Sequence, residues 1–240
     1  MMKCLGLVSA DCLDQAGQCG NRITEEVQHR LGKQASANLI SLNLHTSEIA
    51  AHSQKNDWMQ LAAKLGGAAD WMRSVGAEML VPCSTNLHLA AESLSPKLPV
   101  LHIADPTAAA LRRARVKRIG LVGAASEQEE KYWRRRLARA GFRDVFTPVV
   151  KDREHLAMLI NEELRLGLVR ETSRAAILRI IHSLRRGAGV RALVHCAPEL
   201  SLVSPEEDSV LPVFDATELH VLAAVDWALA SEENNQHTVL

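Results

Sequence analysis

Aromatic residues are scarce: Phe, Trp and Tyr together make up 3% of the 240 positions. A core built with so few rings must be filled by Ala, Leu, Val and Ile, which suits stacked layers of helix and sheet. Net charge is also absent, 28 basic residues standing against 28 acidic ones. That balance supplies no global field to steer the chain onto nucleic acid or an anionic membrane, so neither is expected as a partner. No apolar run approaches the length needed to cross a bilayer, and only a handful of apolar-leaning residues separate Lys3 from Asp11, unlike a signal peptide. The five cysteines are an odd number, and Cys4, Cys12 and Cys19 lack the C-x-x-C spacing of a structural zinc site. Free thiols in a reducing, cytoplasmic setting, with no metal, are therefore expected.

What is present is 47% hydrophobic sequence, enough for one large or two small cores. Short apolar runs read as strands at residues 3–9, 38–44, 78–82, 98–103, 117–123, 191–195 and 211–215. Helical patterns lie between them. Asp57 can cap one in which Trp58, Leu61, Leu65, Met72 and Val75 recur. Ser126 and Glu129 form a capping box for another, which Gly141 can stop. A third repeats Ile177, Ile180, Ile181 and Leu184 and ends near Gly187, and a last one runs over residues 217–230. Strands separated by helices predict parallel sheets with crossover connections. The order repeats, which predicts an α/β fold of two pseudo-symmetric lobes, each a parallel sheet flanked by helices, with a cleft between them. Residues 1–104 with 216–240 form lobe one, and residues 105–215 form lobe two.

Two stretches rhyme. Residues 79–88 read MLVPCSTNLH and residues 192–200 read ALVHCAPEL, each a strand ending in a cysteine before turn residues. Carboxyl ends of parallel strands are where open α/β sheets bind ligands, so Cys83 and Cys196 are the leading site candidates. The competing reading makes them small buried hydrophobes. The basic stretch 131–143 reads as a solvated helix face, and Gly120-x-x-Gly123 is too weak a pattern to imply a nucleotide.

Taken together, these motifs resemble the aspartate/glutamate racemase superfamily, cofactor-independent enzymes with a C-N-T-A-H run after one strand and G-C-T-E after its counterpart. The likeness spans nearly the whole chain, including HIADPT at residues 102–107, GLVG at 120–123 and LPVFDATELHVLAAV at 211–225. It is closest to the acidic amino-acid subgroup with a non-Cys residue at the first catalytic position. The resemblance implies a cofactor-free, two-base proton transfer at Cα of a small acidic amino acid, in a homodimer. Two cysteines suit that reaction when one is thiolate and one is thiol. It further implies catalytic roles for Cys83, Cys196 and Ser84, substrate contacts from Thr85, Asn86, Ser9, Ser126 and Glu199, and a supporting role for His88. His102 and His220 read as structural.

Aligned from Gly76 and Gly189, however, the family's two catalytic positions fall on Ser84 and Ala197, one residue beyond each thiol. Side chains alternate at a strand end, so this offset predicts thiols that point away from the cleft unless a bulge re-aims them. The family's loop near residue 10 is Ser9-Ala10-Asp11-Cys12 here, and its second-lobe loop is Gly123-Ala124-Ala125-Ser126-Glu127. An inactive homologue that binds a small carboxylate or a protein partner is the alternative these departures leave open.

Overall fold

A computed structural model describes residues 2–10, 15–94, 97–124, 126–203 and 211–230. Asp11, Cys12 and Ala125, which figure in the motifs above, lie outside them. The chain divides into two compact units, Met1–His102 with His220–Leu240, and Ile103–Leu219.

The first unit carries β1 (Leu5–Ser9), α1 (Gln15–Leu31), β2 (Leu39–Asn43), α2 (Thr46–Gln54), α3 (Trp58–Ser74), β3 (Met79–Pro82) and α4 (Thr85–Ala91). Its parallel sheet has the order β2-β1-β3, and β1 is buried at every position, as a central strand covered on both faces must be. Alternation along the strands sorts the core into two layers. Val8 and Leu80 pack with Leu61, Leu65 and Met72 of α3. Leu5, Leu7, Met79 and Val81 pack on the other side with Ile23 and Val27 of α1. Asp57 caps α3 by accepting from the Gln60 amide at 3.3 Å. Val75 falls just past the end of α3 and is exposed, not on its buried face.

The expected strand over residues 98–103 is reduced to one parallel bridge, Leu80 with Val100. The Leu80 amide donates to the Pro99 carbonyl and Leu101 donates back to Leu80, but Pro99 has no N–H with which to extend a ladder.

The second unit carries α5 (Ala104–Arg113), β4 (Arg118–Val122), α6 (Glu127–Arg139), β5 (Asp144–Phe146), α7 (Val150–Glu162), α8 (Glu171–Ala188), β6 (Ala192–His195) and β7 (Val213–Asp215). A 3-10 turn, Pro198–Leu202, follows β6. The sheet is again parallel, in the order β5-β4-β6-β7. Ser126 accepts from the Glu129 amide at 3.2 Å to start α6, and Gly141 beyond its end has φ of 95°. Ile177, Ile180, Ile181 and Leu184 of α8 pack with Leu193. The helix stops at Gly189, which takes the left-handed position two residues after the glycine expected to do so. The final helix, α9 (Ala216–Leu229), begins in this unit and continues into the first, where Val221 and Val225 join the α1 layer. The strand sequence β2-β1-β3 corresponds to β5-β4-β6, giving an α/β fold with two parallel sheets flanked by helices.

Candidate functional site

The two cysteines close equivalent strands in the same way. Beyond β3 the Cys83 amide donates to Val8 O of the central strand at 2.7 Å, and beyond β6 the Cys196 amide donates to Val122 O at 2.8 Å. Each thiol turns back along its own strand, Cys83 Sγ toward Val81 O at 3.4 Å and Cys196 Sγ toward Val194 O at 3.9 Å. Both therefore mark the carboxyl end of the strand beside the sheet's middle, where such sheets bind ligands.

In the first unit Cys83 continues the face of Met79 and Val81 and is half-buried against the α1 layer. It shares that layer with Cys19 of α1. Hydrogen bonding from the Cys83 side chain pushes the Cys19 thiol below its usual value; burial opposes it, and the Arg22 guanidinium adds to it. Ser84 is the N-cap residue of α4 by backbone, its carbonyl accepting from Leu87 and His88 at 3.1 and 3.2 Å. The expected side-chain cap does not form. Ser84 Oγ is buried and has no hydrogen-bond partner among the described residues. Thr85 opens α4, half-buried, and Asn86 Oδ1 accepts from Ser53 Oγ of α2 at 3.1 Å. Ser9 is fully buried and donates to Asn43 Oδ1. His88 lies in the interior with its ring 5.9 Å from His102 and 5.2 Å from His220. His220 Nε2 donates to Leu101 O at 2.9 Å, and burial drives the pKa of this ring down to about 4.

In the second unit Cys196 is buried, and the burial pushes its thiol well above the usual value. The carboxylates of Glu129 and Asp215 push the same way, and a backbone hydrogen bond at Val122 offsets them only in part. At neutral pH this group is a thiol. Ala197 is packed under the loop that follows β4. A Cβ on Gly123, whose φ is 94°, would lie 3.0 Å from Ala197 Cβ and 3.1 Å from its backbone nitrogen. Glu199 is not in solvent: Oε1 pairs with Arg165 at 3.1 Å, and Oε2 is buried without a hydrogen-bond partner among the described residues. Ser126 is exposed, with its hydroxyl engaged in the α6 cap.

Sequence reasoning missed two residues. Cys19 gave no local signal toward Cys83, because its partner sits on a distant strand. His195 stands opposite Asp215 in the β6–β7 register, buried, and neither ring nitrogen has a hydrogen-bond partner among the described residues. Burial drives its pKa to about 4, and Asp215 counters this only in part. Among the described residues, no group of three His, Cys, Asp or Glu side chains is placed to hold a metal ion. Among the same residues, no helix is long and apolar enough to cross a membrane.

The model of the Asp/Glu/Hydantoin racemase family matches residues 19–224. A candidate Asp/Glu racemase of solved structure from Yersinia pestis is 35% identical with a TM-score of 0.88, covering 95% of this chain and 100% of that one. An aspartate racemase homologue from Pyrococcus horikoshii OT3 is 22% identical with a TM-score of 0.82, over 95% and 99% of the two chains. The glutamate racemase of Aquifex pyrophilus is 20% identical with a TM-score of 0.58, over 93% and 83%. The last two likenesses speak to fold alone. The family match across most of the chain, with the Yersinia relative aligned end to end, establishes the membership: the chain belongs to the Asp/Glu/hydantoin racemase family.

Proposed function

We propose that the protein racemises a small acidic amino acid, aspartate or glutamate, by cofactor-independent proton transfer at Cα. The observation that carries this reading is the matched pair of strand-end thiols, Cys83 after β3 and Cys196 after β6, each anchored by its amide to a carbonyl of the neighbouring strand, Val8 of β1 and Val122 of β4. An α-proton is a very weak acid, so its removal asks for a poised base on one face and a proton donor on the other. Cys196, held protonated by burial, suits the donor. Cys83 suits the base, and it sits in the layer of Cys19, whose thiol the Cys83 side chain and the Arg22 guanidinium push down against the opposing effect of burial. In the reverse direction the two roles exchange. The buried Ser84 hydroxyl, lacking a protein partner among the described residues, supplies a contact for a substrate carboxylate beside Thr85 and Asn86. Ser84 also stands where the acidic amino-acid subgroup carries its non-Cys residue, which supports an acidic substrate. Glu199 is the candidate for the substrate ammonium, with Ser9 and Ser126 near the other strand ends.

A second reading is favoured by Ala197, which occupies the family's second catalytic position and has no proton to exchange. In that reading the protein binds a small dicarboxylate without turning it over. Chiral chromatography of L- and D-aspartate and glutamate after incubation, run beside a thermal shift with each, separates the two. Appearance of the opposite enantiomer supports the racemase. Stabilisation without any inversion supports the binding protein and removes the racemase.

A further inference from the structure

Charge balances over the whole chain but not at the amino ends of β4 and β5. Residues 112–118, which lead from α5 into β4, read RRARVKR, five cations and no acid. The loop from α6 into β5 adds Arg143. Together the two loops wall a cleft of about 700 Å³, lined by Arg112, Arg115, Lys117 and Arg143 and by one acidic side chain, Asp144. Clefts of about this size hold small molecules. Arg112 Nη2 donates to Ala140 O at 3.1 Å and ties one loop to the other. Asp144 is paired with Arg118 at 3.8 Å, so it does not neutralise the cleft. Arg115, Lys117 and Arg143 make no ion pair or side-chain hydrogen bond among the described residues. The carboxyl ends of α5 and α6 each bring about half a negative charge. Four cations against about one negative charge leave roughly three positive charges in the cleft.

The two loops are built alike, which isolates Arg115. After α5 the Arg115 amide donates to Arg112 O and the Val116 amide to Leu111 O; after α6 the Gly141 amide donates to Ala138 O and the Phe142 amide to Leu137 O. Both turns need a left-handed residue at the same place. Gly141 takes it at φ of 95°, as glycine does without steric cost, but its counterpart is Arg115 at φ of 55°. Ending the helix asks only for glycine there, so the guanidinium is kept against the local backbone preference. We propose that this cleft binds a small anion of the phosphate class, a diphosphate group, with Arg115, Lys117 and Arg143 as its ligands. Guanidinium groups match phosphate oxygens in pairs, and the lysine adds a point charge. Cys196 follows the carboxyl end of β6, at the opposite end of the same sheet, so this site is separate from the thiol. None of this depends on the racemase reading.

The test titrates the full chain calorimetrically with inorganic diphosphate in metal-free buffer of low ionic strength, then with ADP, and repeats both with a single-stranded oligonucleotide as competitor. The expected result is one saturable site per chain that weakens as salt is added. Arg115→Gly should weaken diphosphate binding about tenfold while Tm does not fall, because glycine suits the left-handed turn. Arg143→Gln should weaken it by a similar factor. Tighter binding of ADP than of diphosphate supports a nucleotide as the source of the group, and equal binding supports the free anion. Absence of saturable binding at millimolar diphosphate overturns the proposal, as does binding that neither substitution weakens. An oligonucleotide that binds and that diphosphate does not displace also overturns it, in favour of a nucleic-acid surface.

Discussion

Replacing Gly123 by alanine puts a methyl group where the chain leaves no room for one. At φ of 94° an L side chain already costs about 1–2 kcal/mol. The new Cβ would also meet Leu200 Cδ1 at 2.9 Å, Ala197 Cβ at 3.0 Å and the Ala197 nitrogen at 3.1 Å. Leu200 can rotate, but the Ala197 backbone is held in the turn that starts after Cys196 and cannot withdraw cheaply. Overpacking of this kind adds about 1–3 kcal/mol, for a total of about 2–5 kcal/mol. Gly141 supplies the control. Its φ is 95°, nearly the same, and nothing lies within 4 Å of its Cβ position. Gly141→Ala therefore carries the backbone cost alone, about 1–2 kcal/mol. At roughly 3 °C per kcal/mol, Tm falls by about 10 °C for Gly123→Ala and by about 4 °C for Gly141→Ala. Thermal unfolding followed by far-UV circular dichroism measures both. Equal losses in the two variants would refute the tight seat of residue 197 beneath the β4 loop.

His195 and His220 make stability depend on acid. Burial holds both folded pKa values near 4, below the ordinary value of 6.5, so the folded state resists protons that the unfolded chain accepts. Their contribution is complete above pH 6.5 and is lost as pH falls toward 4, by about 3 kcal/mol each at most. Urea midpoints across that window should fall with pH, and His195→Phe should flatten part of the slope; an unchanged slope contradicts the burial argument. Glu130 accepts from Arg134 Nε at 2.7 Å, from Thr147 Oγ1 at 3.1 Å and from Arg153. Glu130→Ala leaves two guanidinium groups without their shared carboxylate and should cost about 2 kcal/mol in a urea titration, with Glu130→Gln intermediate.

The parts of the fold legible in the sequence were those with a local cause. Asp57 and Ser126 start helices and Gly141 follows the end of one, through groups within a few residues, and the apolar faces of α3 and α8 follow from periodicity. Residues 98–103 read as a strand by composition, but one proline without an amide proton leaves only a bridge. Gly187 and Gly189 are equivalent to a pattern reader; which one takes positive φ depends on where the α8 layer stops packing. Three-residue β5 carries too little apolar sequence to stand out. For the site, the apolar runs and the turn residues after them mark Cys83 and Cys196 as the positions that follow β3 and β6. What each thiol touches was not legible: Cys19 meets Cys83 through tertiary packing, and the state of Cys196 is set by burial and by carboxylates from two other elements.

Deuterium wash-in at Cα tests the central proposal most directly. L- and D-aspartate and glutamate are incubated with the protein in heavy water, and the Cα proton signal is followed by NMR. The proposed acid–base pair predicts loss of that signal for both enantiomers of at least one of the two amino acids, with exchange abolished in the Cys83→Ala, Cys196→Ala double variant. Exchange no faster in the wild type than in that variant would contradict it.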